Sequence, residues 1–278
     1  MTVTAGVETI TPRLAREWLG KYNTNNFRSI DPVRVACYAK EMTLGWDLNG
    51  ATVIFASDGS ILDAQHRLAA CVKSNCSFTS VVVRGVTSGA SHVDRNKSRT
   101  VAQWCRHCVI KNATTIAAAS RLIIAHDKGL WGNHLIHAGH VVDTEIIKFA
   151  SRYQEILNSL HTTSGIKGLP KSYLMTVLYI GGGRIAPADN AMVKWFRRVL
   201  TSGQDLEETD AVLWLRQRLA TNSGARKLTP YMVRMLLTMA WNKSVAGEPC
   251  TASGLRLRMA GPGRQAAPDT IMIAEEED

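Results

Sequence analysis

The sequence predicts an α+β protein, a mixed N-terminal domain followed by an all-α C-terminal domain, and two observations predict it. Up to about residue 86, stretches of helical spacing and stretches of β-branched or alternating residues follow one another with turn residues between them. From about Arg99 onward strand signals vanish and every strongly periodic stretch is helical.

Thr11-Pro12 and Asp31-Pro32 each set a capping side chain before a proline, and apolar residues at helical spacing follow both. The first helix presents Leu14, Trp18 and Leu19; the second presents Val35, Tyr38, Ala39 and Met42 and stops at Gly45. Ala51 to Phe55 and Ile61 to Leu62 flank the turn Ser57-Asp58-Gly59-Ser60, which reads as a β-hairpin. Helical spacing returns over 64–74 through Leu68, Ala69 and Val72, and Phe78 to Val86 is a β-branched strand. The predicted order is helix, helix, hairpin, helix, strand. Helices then follow at 99–109, 112–126, 143–160, 171–181, 187–202, 208–221 and 229–246. These elements divide into domains at 1–110 and 111–250, with 251–278, rich in Gly, Pro and Arg and closing on acidic residues, expected to be a mobile tail.

Composition narrows the function. Thirty-three basic against 23 acidic residues leave a formal charge of +10, spread along the chain without a long charge block, which favours a polyanionic partner. No run of about 18 apolar residues occurs, and the N-terminus lacks the basic-then-apolar order of a signal peptide. A cytoplasmic protein with no membrane partner is expected. Six cysteines at uneven spacing suit reduced thiols.

The segment Asp63-Ala64-Gln65-His66-Arg67 sets polar side chains where a strand hands over to a helix. Such a corner offers backbone N–H groups and the positive end of a helix dipole to an anion. Arg67 can add a bidentate clamp, His66 a further donor, and Asp63 a helix cap or a carboxylate beside a metal. A partly exposed Arg67, turned away from the packed face of its helix, is expected. Cys105-x-x-Cys108 followed by His134, His137 and His140 makes zinc arithmetically open, but the cysteines read equally as a helical i, i+3 pair, and no metal is assigned. Trp195, Trp214 and Trp241 read as core anchors, while Lys194, Arg197, Arg198, Arg216 and Arg218 read as solvated helix faces.

From Ile10 to Gln103, the stretches WLGKYNTNNFRSIDP, LNGATVIFASDGSILDAQHRLAACVKS and VVVRGV resemble the ParB/sulfiredoxin superfamily. More narrowly, they are similar to the phage and bacterial members marked by a DGQHRLAA box. VLTSGQDLEETDAVLWLRQRL and MAWNKSVAGEP are similar to the helical C-terminal region of the same group. In ParB proteins the corresponding corner reads G-E-R-R and holds nucleotide phosphates; in sulfiredoxins it reads G-C-H-R. The resemblance therefore implies that Asp63, Ala64, Gln65, His66 and Arg67 bind an NTP, ATP or CTP with Mg2+, and it extends to slow hydrolysis. Gln65 stands at the sulfiredoxin cysteine, so sulfinic-acid repair is not expected, and Ala64 stands where the box has glycine. Asp94-Arg95-Asn96-Lys97-Ser98-Arg99-Thr100 resembles the family's second polar patch. Arg84, Arg95, Lys97, Arg99 and Arg106 together make the basic face assigned to DNA.

Two rivals stay open. One is a nuclease or nucleic-acid-modifying enzyme with His66 as general acid-base and Asp63 holding a divalent cation. The other is a phage interaction protein that binds a host component through a protein interface and keeps the corner as a relic.

Overall fold

A computed structural model describes residues 2–23, 29–49, 51–87, 100–132, 140–162, 166–222, 227–252, 254–255 and 270–275. The chain forms two compact units, one of residues 1–99 with 137–145 and one of 100–136 with 146–278. The division thus falls about ten residues before the one expected from sequence, and a short later segment belongs with the first unit.

In the first unit, Thr11 and Asp31 cap α1 (Pro12–Tyr22) and α2 (Pro32–Leu44) as their Thr-Pro and Asp-Pro pairs predict. The Thr11 hydroxyl accepts from the Leu14 N–H and the Asp31 carboxylate from the Val33 N–H. The hairpin is β2 (Thr52–Ala56) and β3 (Ile61–Asp63), turned by Gly59 at φ +86° with Asp58 accepting from the Ser60 N–H. Next come α3 (Gln65–Ser74) and β4 (Phe78–Val86). One strand was not expected: β1 (Thr4–Ile10) pairs antiparallel with β4, from Thr4 opposite Arg84 to Ile10 opposite Phe78. The four-stranded sheet runs β1-β4-β2-β3, and β2 lies parallel to β4.

The core of this unit gathers Trp18 from α1, Val35, Ala39 and Met42 from α2, Val53 and Phe55 from β2, Leu68 from α3, and Phe78 and Val82 from β4. Trp18 meets Phe55 edge to face at 5.0 Å between ring centres, and α3 packs on both α1 and α2. That packing fixes the start of α3 against the end of α1 and the start of α2. The β2–β3 register then skips Leu62: Ile54 lies opposite Asp63 but Phe55 opposite Ile61. An extra residue of this kind re-aims the side chain that follows it, here Asp63.

Among the described residues from 100 onward the regular elements are all helices, α4 (Val101–His107), α5 (Ala113–Asp127), α6 (Asp143–Ser159, its first turn counted with the first unit), α7 (Lys171–Gly181), α8 (Ala191–Ser202), α9 (Ala211–Ala220) and α10 (Pro230–Val245). The central helices of the second unit are α7 and α10, buried nearly all round from Leu174 to Gly181 and from Val233 to Trp241. Of the three tryptophans read as anchors, Trp241 is fully buried, whereas Trp195 and Trp214 are half-buried. Arg216 departs from the solvated-face reading, since its guanidinium donates to the Leu200 carbonyl.

Of the 251–278 tail expected to be mobile, residues 253, 256–269 and 276–278 lie outside the described residues, and one described part departs from the expectation. Residues 270–275 have no regular secondary structure but are tied down, with Ile271 and Ala274 buried. Burial of those two residues and pairing of the backbone between them are what hold a chain end in place.

Candidate functional site

The strand-to-helix corner is built from residues far apart in sequence. Asp63 ends β3, and its two carboxylate oxygens are both engaged: Oδ1 accepts from the Ala64 N–H at 2.6 Å and Oδ2 pairs with Arg67 Nη2 at 3.0 Å. Ala64 is the N-cap residue of α3 and supplies no side-chain cap. It stands at φ +93°, ψ 5°, in the left-handed region that favours glycine. The Cβ also lies in the core, since Ala64 is 4% exposed. Ala64→Gly therefore exchanges about 1 kcal/mol of backbone strain against about 0.8 kcal/mol of lost methyl burial. The expected result is a change in urea-unfolding stability below about 0.5 kcal/mol, well under the 1 kcal/mol or more that larger side chains would cost at this φ.

Arg67 is where the structure corrects the sequence most. Its guanidinium is not turned outward: the residue is 8% exposed, and Nη2 donates to the Thr52 carbonyl at 2.7 Å as well as to Asp63. The β-sheet supplies both partners because Arg67, in the first turn of α3, reaches back under the helix to the start of β2. Nη1 is buried and has no hydrogen-bond partner among the described residues.

His66 faces α2. Its Nε2 accepts from the Asp31 N–H at 3.0 Å, so the imidazole joins the start of α3 to the N-cap of α2. Gln65, 5% exposed, accepts from Asn23 Nδ2 at 3.3 Å, tying in the end of α1. The corner thus brings together the five residues read from sequence and adds Asn23, Asp31 and Thr52. The Asp-Pro pair at 31 and the helix-ending Asn23 were visible as local signals; their arrival beside α3 was not.

Of the residues assigned to DNA, Arg84 is already committed. Arg84 forms a two-pronged ion pair with Glu8, the second prong at 2.9 Å, and lies over the Trp18 and Phe55 rings at 5.6 and 5.5 Å. The hydrogen bonds to Arg84 are the main reason that the Glu8 carboxyl is held below the usual range. A DNA phosphate would have to displace Glu8 to use this arginine. Arg106 is exposed and donates to Thr114 Oγ1 at 3.2 Å. Arg95, Lys97 and Arg99 lie outside the described residues, as do Asp94, His134 and His137. Cys105 is fully buried while Cys108, the C-cap residue just past the end of α4, is exposed, so the two do not share one buried helix face. Among the described residues no group of three or more His, Cys, Asp or Glu side chains is arranged to hold a metal ion.

No described helix is long and apolar enough to cross a membrane. The chain matches none of the known protein families, curated proteins or solved structures with which it was compared.

Proposed function

We propose that the corner at the start of α3 binds the phosphates of a nucleotide, and that the protein acts in association with DNA. One observation carries the reading: Arg67 Nη1 is a buried cationic donor without a partner, at a helix start that the N-cap side chain leaves open. An unsatisfied buried donor costs about 1–3 kcal/mol, more when charged, and a phosphate oxygen would remove that cost. The N-terminal turn of α3 adds its dipole in the same direction. Asp63 is then a positioning residue, because both of its oxygens are spent on holding Ala64 and Arg67. Any Mg2+ would come held by the nucleotide phosphates.

Binding is better supported than hydrolysis. His66 Nε2 already accepts a hydrogen bond from the Asp31 amide, so it serves as a general base only after that bond is released. The DNA partner rests on the net charge of +10, which predicts affinity that falls steeply with salt.

Thermal unfolding in ATP, CTP, GTP and UTP, each with Mg2+, tests the nucleotide reading. A ligand at 100 times its Kd stabilises the folded state by about 2.7 kcal/mol and raises Tm by several degrees. At least one of the four is expected to do so, with inorganic pyrophosphate giving a smaller shift. No shift with any nucleotide or with pyrophosphate would remove the proposal.

A further inference from the structure

The C-terminal segment 270–275 lies in a groove of the helical unit whose polar groups pair with its backbone. Trp241 Nε1 donates to the Met272 carbonyl at 2.7 Å, and the Asn242 amide accepts from the Met272 N–H at 2.9 Å while donating to the Thr270 carbonyl at 3.1 Å. The Ala274 N–H donates to the Gly181 carbonyl at 2.7 Å, and Asn190 Nδ2 donates to the Ala274 carbonyl at 3.3 Å. Side chains alternate unevenly: Ile271 and Ala274 are buried, while Met272 and Ile273 are 40% and 58% exposed. This is a non-helical segment held through its main chain, with apolar slots for two side chains.

The other end of the segment rests on one titratable group. The Ile271 N–H faces His126 Nε2 at 3.4 Å, and Thr270 Oγ1 lies 3.3 Å from the same nitrogen. A backbone N–H can only donate, so Nε2 is the acceptor and the proton sits on Nδ1, beside Asp127 Oδ1 at 3.5 Å. The Trp131 ring covers the imidazole edge to face at 5.7 Å between centroids. Asp127 itself is paired with Arg184, which lies over the Tyr179 ring, and Tyr153 faces the same arginine. Hence the charged and titratable groups around His126 are Asp127 on its own helix, Arg184 after α7, Tyr179 on α7 and Tyr153 on α6.

We propose that residues 270–275 are a detachable strap over the α7–α10 groove and that His126 is its latch. The neutral imidazole accepts from Ile271 and holds the strap; the imidazolium has no lone pair for that N–H and lets the Thr270–Ile271 end go. Release would uncover the Ile271 slot and, if it spreads, the Trp241 indole. Burial is the largest influence on His126 and pushes its pKa below the ordinary 6.5; Asp127 pulls it back up, and Arg184 pushes it down. The sign follows. A group whose pKa is depressed in the docked state favours docking fully above its free value, and that contribution is lost as pH falls below about 6.5 through the docked value.

Nuclear magnetic resonance of the full chain between pH 8 and pH 5 tests this, a range above the ordinary titration of exposed carboxylates. The Thr270 and Ile271 amide signals are expected to move toward disordered-chain positions as pH falls, with a midpoint below 6.5. The docked-to-free ratio of that end should drop by roughly tenfold, the factor set by one lost hydrogen bond. In His126→Gln, whose side-chain oxygen accepts at any pH, the same signals should stay put. An Ile271 amide that does not respond to pH, or one that responds equally in His126→Gln, would overturn the latch. So would a His126 ring that carries its proton on Nε2 at pH 8, a measurement that needs no variant.

Discussion

Arg67→Ala is expected to destabilise the protein by about 3 kcal/mol, because it breaks a largely buried ion pair from one side. Two costs add. Asp63, whose side chain is 24% exposed, loses the cation that its Oδ2 faces at 3.0 Å, and the Thr52 carbonyl loses its 2.7 Å donor. The partial exposure of Asp63 lets water recover part of the first cost, which keeps the figure at the low end of the 3–5 kcal/mol typical of a broken buried pair. Arg67→Lys keeps a charge near Asp63, but its shorter side chain does not bring a donor to the position of Nη2, from which both bonds run, and should cost about half as much. Urea unfolding of the three proteins checks the order. If Arg67→Ala melts like the parent, the Thr52–Arg67–Asp63 contacts hold little, and the arginine is free for a ligand alone. The same magnitudes explain why loss of nucleotide response in Arg67→Ala would not by itself identify a phosphate contact. Arg67→Lys, folded but without Nη1, is the more telling variant for binding.

How far the sequence reached depends on the range of the interactions involved. Thr11, Asp31 and the Ser57-Asp58-Gly59-Ser60 turn act on backbone within three residues, so α1, α2 and the hairpin were legible from residue type alone. β1 was missed because it is an edge strand in which only Ile10 is buried; the alternation of Val3, Ala5 and Val7 was its one signal, on a face that remains exposed. The corner was legible as a set of residue types and illegible as a set of partners. Gln65 meets Asn23 across 42 residues and His66 meets Asp31 across 35, and only the packing of α3 on α1 and α2 creates those meetings. The exposure of Arg67 was misjudged for the same reason. Helical spacing put it off the apolar face, but its burial comes from the strands below, which a helical wheel does not contain. The strap was hidden likewise, since Ile271 reaches His126 across 145 residues.

Gly181→Ala is expected to cost about 3 kcal/mol or more, for reasons of space rather than backbone freedom. A Cβ at this position would lie 2.3 Å from Trp241 Cζ2, 2.4 Å from Cε2 and 2.6 Å from Nε1. The indole has nowhere to go: Trp241 is fully buried, its ring meets Phe196 at 5.1 Å, and its N–H is held by the Met272 carbonyl. Overpacking of a filled core costs about 1–3 kcal/mol even when neighbours adjust. Here adjustment also disturbs the Gly181 carbonyl that receives the Ala274 N–H, so strap and core are strained together. Two other glycines calibrate the claim. Gly183→Ala meets nothing within 4 Å but sits at φ +83°, so it should cost about 1 kcal/mol from conformation alone. Gly6→Ala has open space and an ordinary φ and should change stability by less than about 0.5 kcal/mol. A double-mutant cycle separates crowding from other causes. Because Trp241→Phe removes the atoms that clash most closely, Gly181→Ala should cost at least about 1 kcal/mol less in that background than in the parent. Equal costs in the two backgrounds would mean that the indole does not press on residue 181, and that α7 and α10 pack differently from the arrangement described above.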